Sequence, residues 1–211
     1  MKTKIILGVF VAVLGVLNAQ AQVNEHHFEK LVLNKKEKKV FSERDSSAVV
    51  YIDTLIMKDK SSLQFFGKKD VKLIVKHAEI GNKALISGQA GQNNASDFDI
   101  TINFQKLGSL FVVARGIDAF NGTRTFPNGN AGNVNITYNR EGISPQTTNK
   151  KGKYYLFVDV TPGGLRVTPT SEVANIYSRI ATSAPGLRGL PQGQIYSGSP
   201  GLEGKVKITS D

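Results

Sequence analysis

Apolar and polar residues alternate with a period of two at four places along the chain. Phe98, Ile100, Ile102 and Phe104 share one face, with Asp97, Asp99, Thr101 and Asn103 opposite. Val71, Leu73 and Val75 follow Asp70 in the same way, Val134, Ile136 and Tyr138 follow Asn133, and Val206 and Ile208 repeat the pattern near the C-terminus. Such alternation puts one side of an extended segment against a core, so these stretches are predicted half-buried strands. The best helical pattern is one short segment, Ser171 to Ile180, in which Val173, Ile176, Tyr177 and Ile180 share a side. The chain therefore reads as all-β.

The strands come in similar packets. Asp53, Asp70, Asp97 and Asn133 each open a strand, a polar turn, a second strand and then a Gly, at Gly67, Gly88, Gly116 and Gly164. The spacing between packet starts grows along the chain because polar, Gly-rich insertions follow the second and third. One coil per packet, with insertions leaving from one corner, describes a solenoid. The predicted fold is a right-handed parallel β-helix of short coils with Gly-rich loop insertions. A β-sandwich of short strands is the alternative. The domain reading is a signal peptide at 1–21, an N-terminal cap segment at 22–49, a β-solenoid core at 50–164, and a C-terminal Gly-rich segment with a final strand at 165–211.

Within the insertions Gly recurs every third residue, at Gly88 and Gly91, at Gly129 and Gly132, and at Gly186, Gly189, Gly198, Gly201 and Gly204. Period-three Gly suits an extended helix with three residues per turn, in which only Gly fits a close contact between chains. The tracts are too short for a collagen triple helix and Gly193 shifts the register. The expectation is local extended loops packed on one another, or plain flexible loops.

Lys2 and Lys4 precede an apolar run from Ile5 to Leu17, and Asn18-Ala19-Gln20-Ala21 offers small residues where a signal peptidase cuts. The run is shorter than the roughly 20 residues that span a bilayer. Cleavage is expected after Ala21, which lowers the formal charge from +10 to +8. The expected location is therefore periplasmic, outer-membrane-associated or cell-surface, with no transmembrane helix in the mature chain. A cationic exported protein meets envelope polyanions rather than nucleic acid. The positive residues concentrate at Lys35 to Lys39, at Lys68 and Lys69, and at Lys150, Lys151 and Lys153, the last two groups forming the candidate basic patch.

Three passages resemble a known group. Asp53-Thr54-Leu55-Ile56-Met57, Ala78-Glu79-Ile80-Gly81-Asn82 and Ile86-Ser87-Gly88-Gln89-Ala90-Gly91 are similar to secreted Gly-rich proteins of Bacteroidota called "collagen-like". Leu107 to Leu110, Ala114 to Gly116 and Gly129 to Ile136 continue the resemblance, which covers roughly residues 50–140. It implies export and a β-helix, and it carries no activity. In the group the loops are denser in Gly-Gly-Asn triplets; here Asp118-Ala119-Phe120 and Thr125-Phe126-Pro127 interrupt them.

Candidate chemistry is sparse. The chain has no Cys, so disulfides, thiolate metal sites and a Cys nucleophile are excluded. His26, His27 and His77 lack metal-ligand spacing, and no nucleophile elbow accompanies them. Neither a metal site nor a catalytic set is assigned, and no cofactor is implied. Asp53, Asp70 and Asp97 could stack as a carboxylate ladder, but Asp and Asn at strand starts more commonly hold turn amides. Asn94, Asn121 and Asn135 open Asn-glycosylation matches that read as chance in Asn-rich loops. Thr54 sits in Asp53-Thr54-Leu55, which resembles the O-glycosylation motif of exported Bacteroidota proteins.

Two function classes follow. The first is a non-enzymatic envelope protein, a scaffold or accessory subunit binding a partner protein through its Gly-rich loops. Phe120, Arg124, Phe126 and Asn128 in the longest insertion are the candidate contacts. The second is a carbohydrate-binding or carbohydrate-active β-helix that engages anionic glycans through lysines and aromatics such as Phe65, Phe66, Phe126, Tyr154 and Tyr155. An exposed aromatic row beside lysines favours the glycan, and a dry apolar patch favours the protein partner.

Overall fold

A computed structural model describes residues 24–119, 126–165 and 199–211. Every regular element among them is a strand: β1 (Asn24–Leu33), β2 (Lys38–Phe41), β3 (Ser47–Met57), β4 (Ser62–Phe66), β5 (Asp70–Ile80), β6 (Ala84–Gly91), β7 (Asn94–Ala95), β8 (Asp97–Leu107), β9 (Ser109–Val113), β10 (Val134–Tyr138), β11 (Tyr155–Asp159) and β12 (Val206–Ser210). The candidate helix at Ser171 to Ile180 lies outside the described residues.

The chain alternates between two sheets. Sheet A runs β1-β3-β5-β8-β10-β12 and sheet B runs β2-β4-β6-β9-β11, with the two-residue β7 hung on β6. Apart from the β6–β7 contact, every pairing is parallel. The fold is a parallel β-solenoid. A sandwich is set aside because its sheets are antiparallel.

Register makes the core out of ranks. Val50, Leu73, Ile100, Ile136 and Ile208 stack in one inward column of sheet A. Leu63, Ile86, Val112 and Val158 stack in the facing column of sheet B. Most of these are fully buried, and the chain of contacts continues from Leu33 to Leu156 as one hydrophobic cluster. The alternations centred on Leu73, Ile100 and Ile136 lie as their sequence predicts, with Phe98, Ile100, Ile102 and Phe104 all inward.

One packet boundary is corrected. Asp53 does not open a coil; the residue in register with Asp70 and Asp97 is Ser47. β3 keeps its alternation through Ile52, then places Asp53 and Thr54 both outside before Leu55. β5 slips in the same way at Lys76 and His77. A phase slip inside a long strand has the sequence signature of a strand boundary. The ladder also begins earlier than Asp53, since β1 and β2, in the segment expected to cap the core, already pair with β3 and β4.

Among the described residues, the outermost strands of sheet B carry devices that blunt an edge. Lys39 occupies an inward position in β2, and its ammonium lies 5.7 Å and 5.5 Å from the ring centres of Phe28 and Phe41. Gln146 bridges to Tyr155 on the side of β11 away from β9, donating to Tyr154 O and accepting from Leu156 N.

Candidate functional site

The corner where sheet B returns to sheet A gathers the Gly-rich insertions. Their described parts are extended segments bonded to one another at three-residue steps. Gly129 N and Gly132 N donate to Ile117 O and Ala114 O; Gly201 N and Gly204 N donate to Gly163 O and Val160 O. Ala95 N and Phe98 N donate to Asn130 O and Asn133 O, while Ala131 N and Val134 N donate to Leu202 O and Lys205 O. A backbone that shows every third N–H to the same neighbour has three residues per turn, the polyproline-II geometry. The period-three Gly expectation is met as packed loops. A Cβ at Gly129 would collide with Asn93 O, at Gly132 with Ser96 O, at Gly201 with Gly129 O and at Gly204 with Gly132 O.

Asx side chains bind this bundle level to level. Asn94 Oδ1 accepts Asn130 N at 2.9 Å, and Asn130 Oδ1 accepts Leu202 N at 2.8 Å. Three residues on, Asp97 Oδ1 accepts Asn133 N at 2.6 Å and Asn133 Oδ1 accepts Lys205 N at 3.0 Å. Asp97 therefore holds a backbone amide, and Asp53 instead pairs with Lys76 at 2.7 Å. The three aspartates do not form one column. Among the described residues no group of three or more His, Asp or Glu could hold a metal ion.

The sequence-predicted contacts divide. Phe126 is 39% exposed, whereas Asn128 is buried, its Oδ1 accepting Ala119 N and its Nδ2 donating to Ser199 O. Asn128 is thus a clamp between two insertions. Phe120 and Arg124 lie outside the described residues, as do the signal segment and the Gly186 to Gly198 tract.

The basic patch needs correction at Lys68. Its side chain is wholly buried, and its ammonium donates to Glu43 O at 2.9 Å and Asp45 O at 2.8 Å, with the Glu43 carboxylate 3.6 Å away. The short 42–46 connection wraps over it, so carbonyls replace water as its partners. Lys69, Lys150, Lys151 and Lys153 are exposed. Thr54 is half-exposed on the outside of β3 beside Lys30 and His77 in register.

Each adjacent aromatic pair has one buried and one exposed member. Phe65 is buried and Phe66 is 40% exposed; Tyr155 is buried and Tyr154 is 41% exposed. A further set was not anticipated. On the outer face of sheet B, Leu85, Phe111 and Phe157 stand in one register column. Phe111 contacts Phe157 at 5.8 Å and Tyr155 at 5.9 Å between ring centres. The available signal was the unbroken apolar runs Leu110 to Val113 and Tyr155 to Val158, which leave no polar outer face. No family model, curated protein or solved structure matches this chain.

Proposed function

We propose that the protein is a non-enzymatic exported cell-envelope protein, a β-solenoid scaffold or accessory subunit that holds a partner protein. The observation that carries this reading is the outward column Leu85, Phe111 and Phe157, an apolar strip where a solvated sheet face carries polar side chains. Partner contact is assigned to this strip rather than to the Gly-rich loops. The described backbone of those loops is committed to neighbouring segments, and of the two described candidates Phe126 is exposed and Asn128 is buried. The three-residue Gly packing supports the resemblance to "collagen-like" exported proteins of Bacteroidota, with Gly serving a loop bundle. A carbohydrate-binding β-helix is the second reading, favoured by the lysines that precede Tyr154 and Tyr155 beside the same strip.

The test is recovery of partners from solubilised outer membrane with wild-type protein and with Phe111→Ser/Phe157→Ser. Because Phe157 is already 39% exposed and Phe111 half-exposed, the variant should keep its circular dichroism and lose the partner. Unchanged recovery from a folded variant would remove the strip from the interface. Export is checked separately: N-terminal sequencing of the native protein should begin at Gln22, and a chain retaining Met1 would refute it.

A further inference from the structure

The corner where sheet A passes into sheet B is lined with lysine at one level after another. Lys36 follows β1, Lys60 follows β3 and Lys83 follows β5, each as the left-handed residue of its turn, with φ of 63°, 62° and 57°. The flanking strands are in register, Lys38 with Ser62 and Ser62 with Leu85, so the three turns stack as the strands do. At the fourth level Ser109 stands at this turn and its hydroxyl accepts Lys83 N at 2.7 Å, while Lys106 lies near the end of β8 in register with Glu79; Lys150, Lys151 and Lys153 lie in the connection from β10 to β11. All seven are exposed. Positive charge therefore runs along one edge of the solenoid at three successive rungs about 4.8 Å apart, with further lysines at its far end.

Two features separate this edge from an ordinary solvated surface. Asn and Gly occupy left-handed turn positions at lower cost than Lys, yet Lys fills three successive turns. Two of the nearby carboxylates hold turn amides: Glu37 Oε2 accepts Asn34 N, and Asp59 Oδ1 accepts Asn82 N, both at 2.7 Å. Among the described residues none of the seven lysines makes an ion pair. Beside the turns runs an open groove of about 400 Å³ bordered by Lys35, Lys58 and Lys106 and also by the carboxylates Asp59 and Glu79.

We infer that this lysine edge binds a linear acidic polysaccharide lying along the solenoid axis, an inference that rests on the carbohydrate-binding reading. Cations set out in a line, rather than converging on a point, suit a polymer with regularly repeated charge. A uronate chain presents one carboxylate per pyranose ring and apolar ring faces between them, which fits single ammonium groups per rung beside an aromatic strip. Duplex DNA carries a phosphate every 3.4 Å along each strand, out of step with the rungs.

The test measures binding of polygalacturonate, neutral dextran, duplex DNA and phosphatidylglycerol vesicles to the full chain. It compares wild type with Lys36→Asn/Lys60→Asn/Lys83→Asn. Asn takes the left-handed conformation readily, so the variant should melt like wild type. A second variant, Lys150→Gln/Lys151→Gln/Lys153→Gln, probes the far end of the edge. The expected result is salt-dependent binding of polygalacturonate, weakened at least tenfold by the first variant and several-fold by the second. Glycan binding that both variants leave unchanged would overturn the lysine edge while sparing the carbohydrate-binding reading. No binding of either glycan would sink both. Tighter binding of DNA or vesicles than of polygalacturonate would overturn the acidic polysaccharide as the ligand.

Discussion

Replacing Gly129 by Ala should destabilise the protein by about 3 kcal/mol or more, lowering the melting temperature by about 10 °C. The added Cβ meets the backbone of Asn93, whose carbonyl also accepts Ile117 N, so no flexible side chain can move aside. Gly129 is itself packed against the backbones at Gly116, Gly163 and Gly201, and its carbonyl accepts Gly163 N. A shift that relieves one contact therefore strains another. The control is Gly67→Asn, at a residue with φ of 71° and no atom within 4 Å of the new Cβ. Asn tolerates that conformation, and the change should stay within about 0.5 kcal/mol. Thermal melts of the two variants settle it; equal melting would mean that the loop bundle contributes nothing to the folded state.

Lys68→Ala should cost about 3–5 kcal/mol, because it empties a buried site and strips two carbonyls and a carboxylate of their cation. Lys68→Met keeps the volume and still leaves Glu43 O and Asp45 O without a donor, at about 1–3 kcal/mol. Lys69→Ala, one residue on and exposed, should change stability by less than about 0.5 kcal/mol. Denaturant unfolding distinguishes the three, and Lys68→Ala unfolding like wild type would defeat the buried-cation account. The same cluster predicts an acid limb. Burial pushes the Glu43 carboxyl up, but its backbone hydrogen bond and its attraction to His26 and Lys68 outweigh that and hold it below its usual 4.5. Its contribution is thus present above the unfolded value and fades as pH falls through the lower folded one. Glu43→Gln should remove that part of the pH dependence.

Much of the fold was legible along the chain because a half-buried parallel strand writes its pleat into every second residue. Phe98 to Phe104 and Val134 to Tyr138 are examples, and period-three Gly marked the insertions as extended while leaving packed and flexible loops both open. These are local signals: each depends on which side of its own backbone a residue lies. The level of a residue within the stack is a different kind of fact. Asp53 looks like Asp70 in sequence, yet it falls at a mid-strand slip where the next level supplies Lys76 as its partner.

The alternation of apolar residues and the three-residue Gly period were determined by the sequence itself, since each repeats along its own stretch of chain; the backbone that the glycines pack against belongs to other coils. Tertiary structure alone decided that Lys68 is buried while Lys69 is not, because the carbonyls that replace its water come from residues 43 and 45, one coil earlier. It alone turned Asn128 from an exposed contact into a clamp between residues 119 and 199. It alone brought Leu85, Phe111 and Phe157 into one column and Lys36, Lys60 and Lys83 onto one edge. In a solenoid the nearest neighbour of a side chain is one coil away, and insertions of unequal length set that distance in sequence.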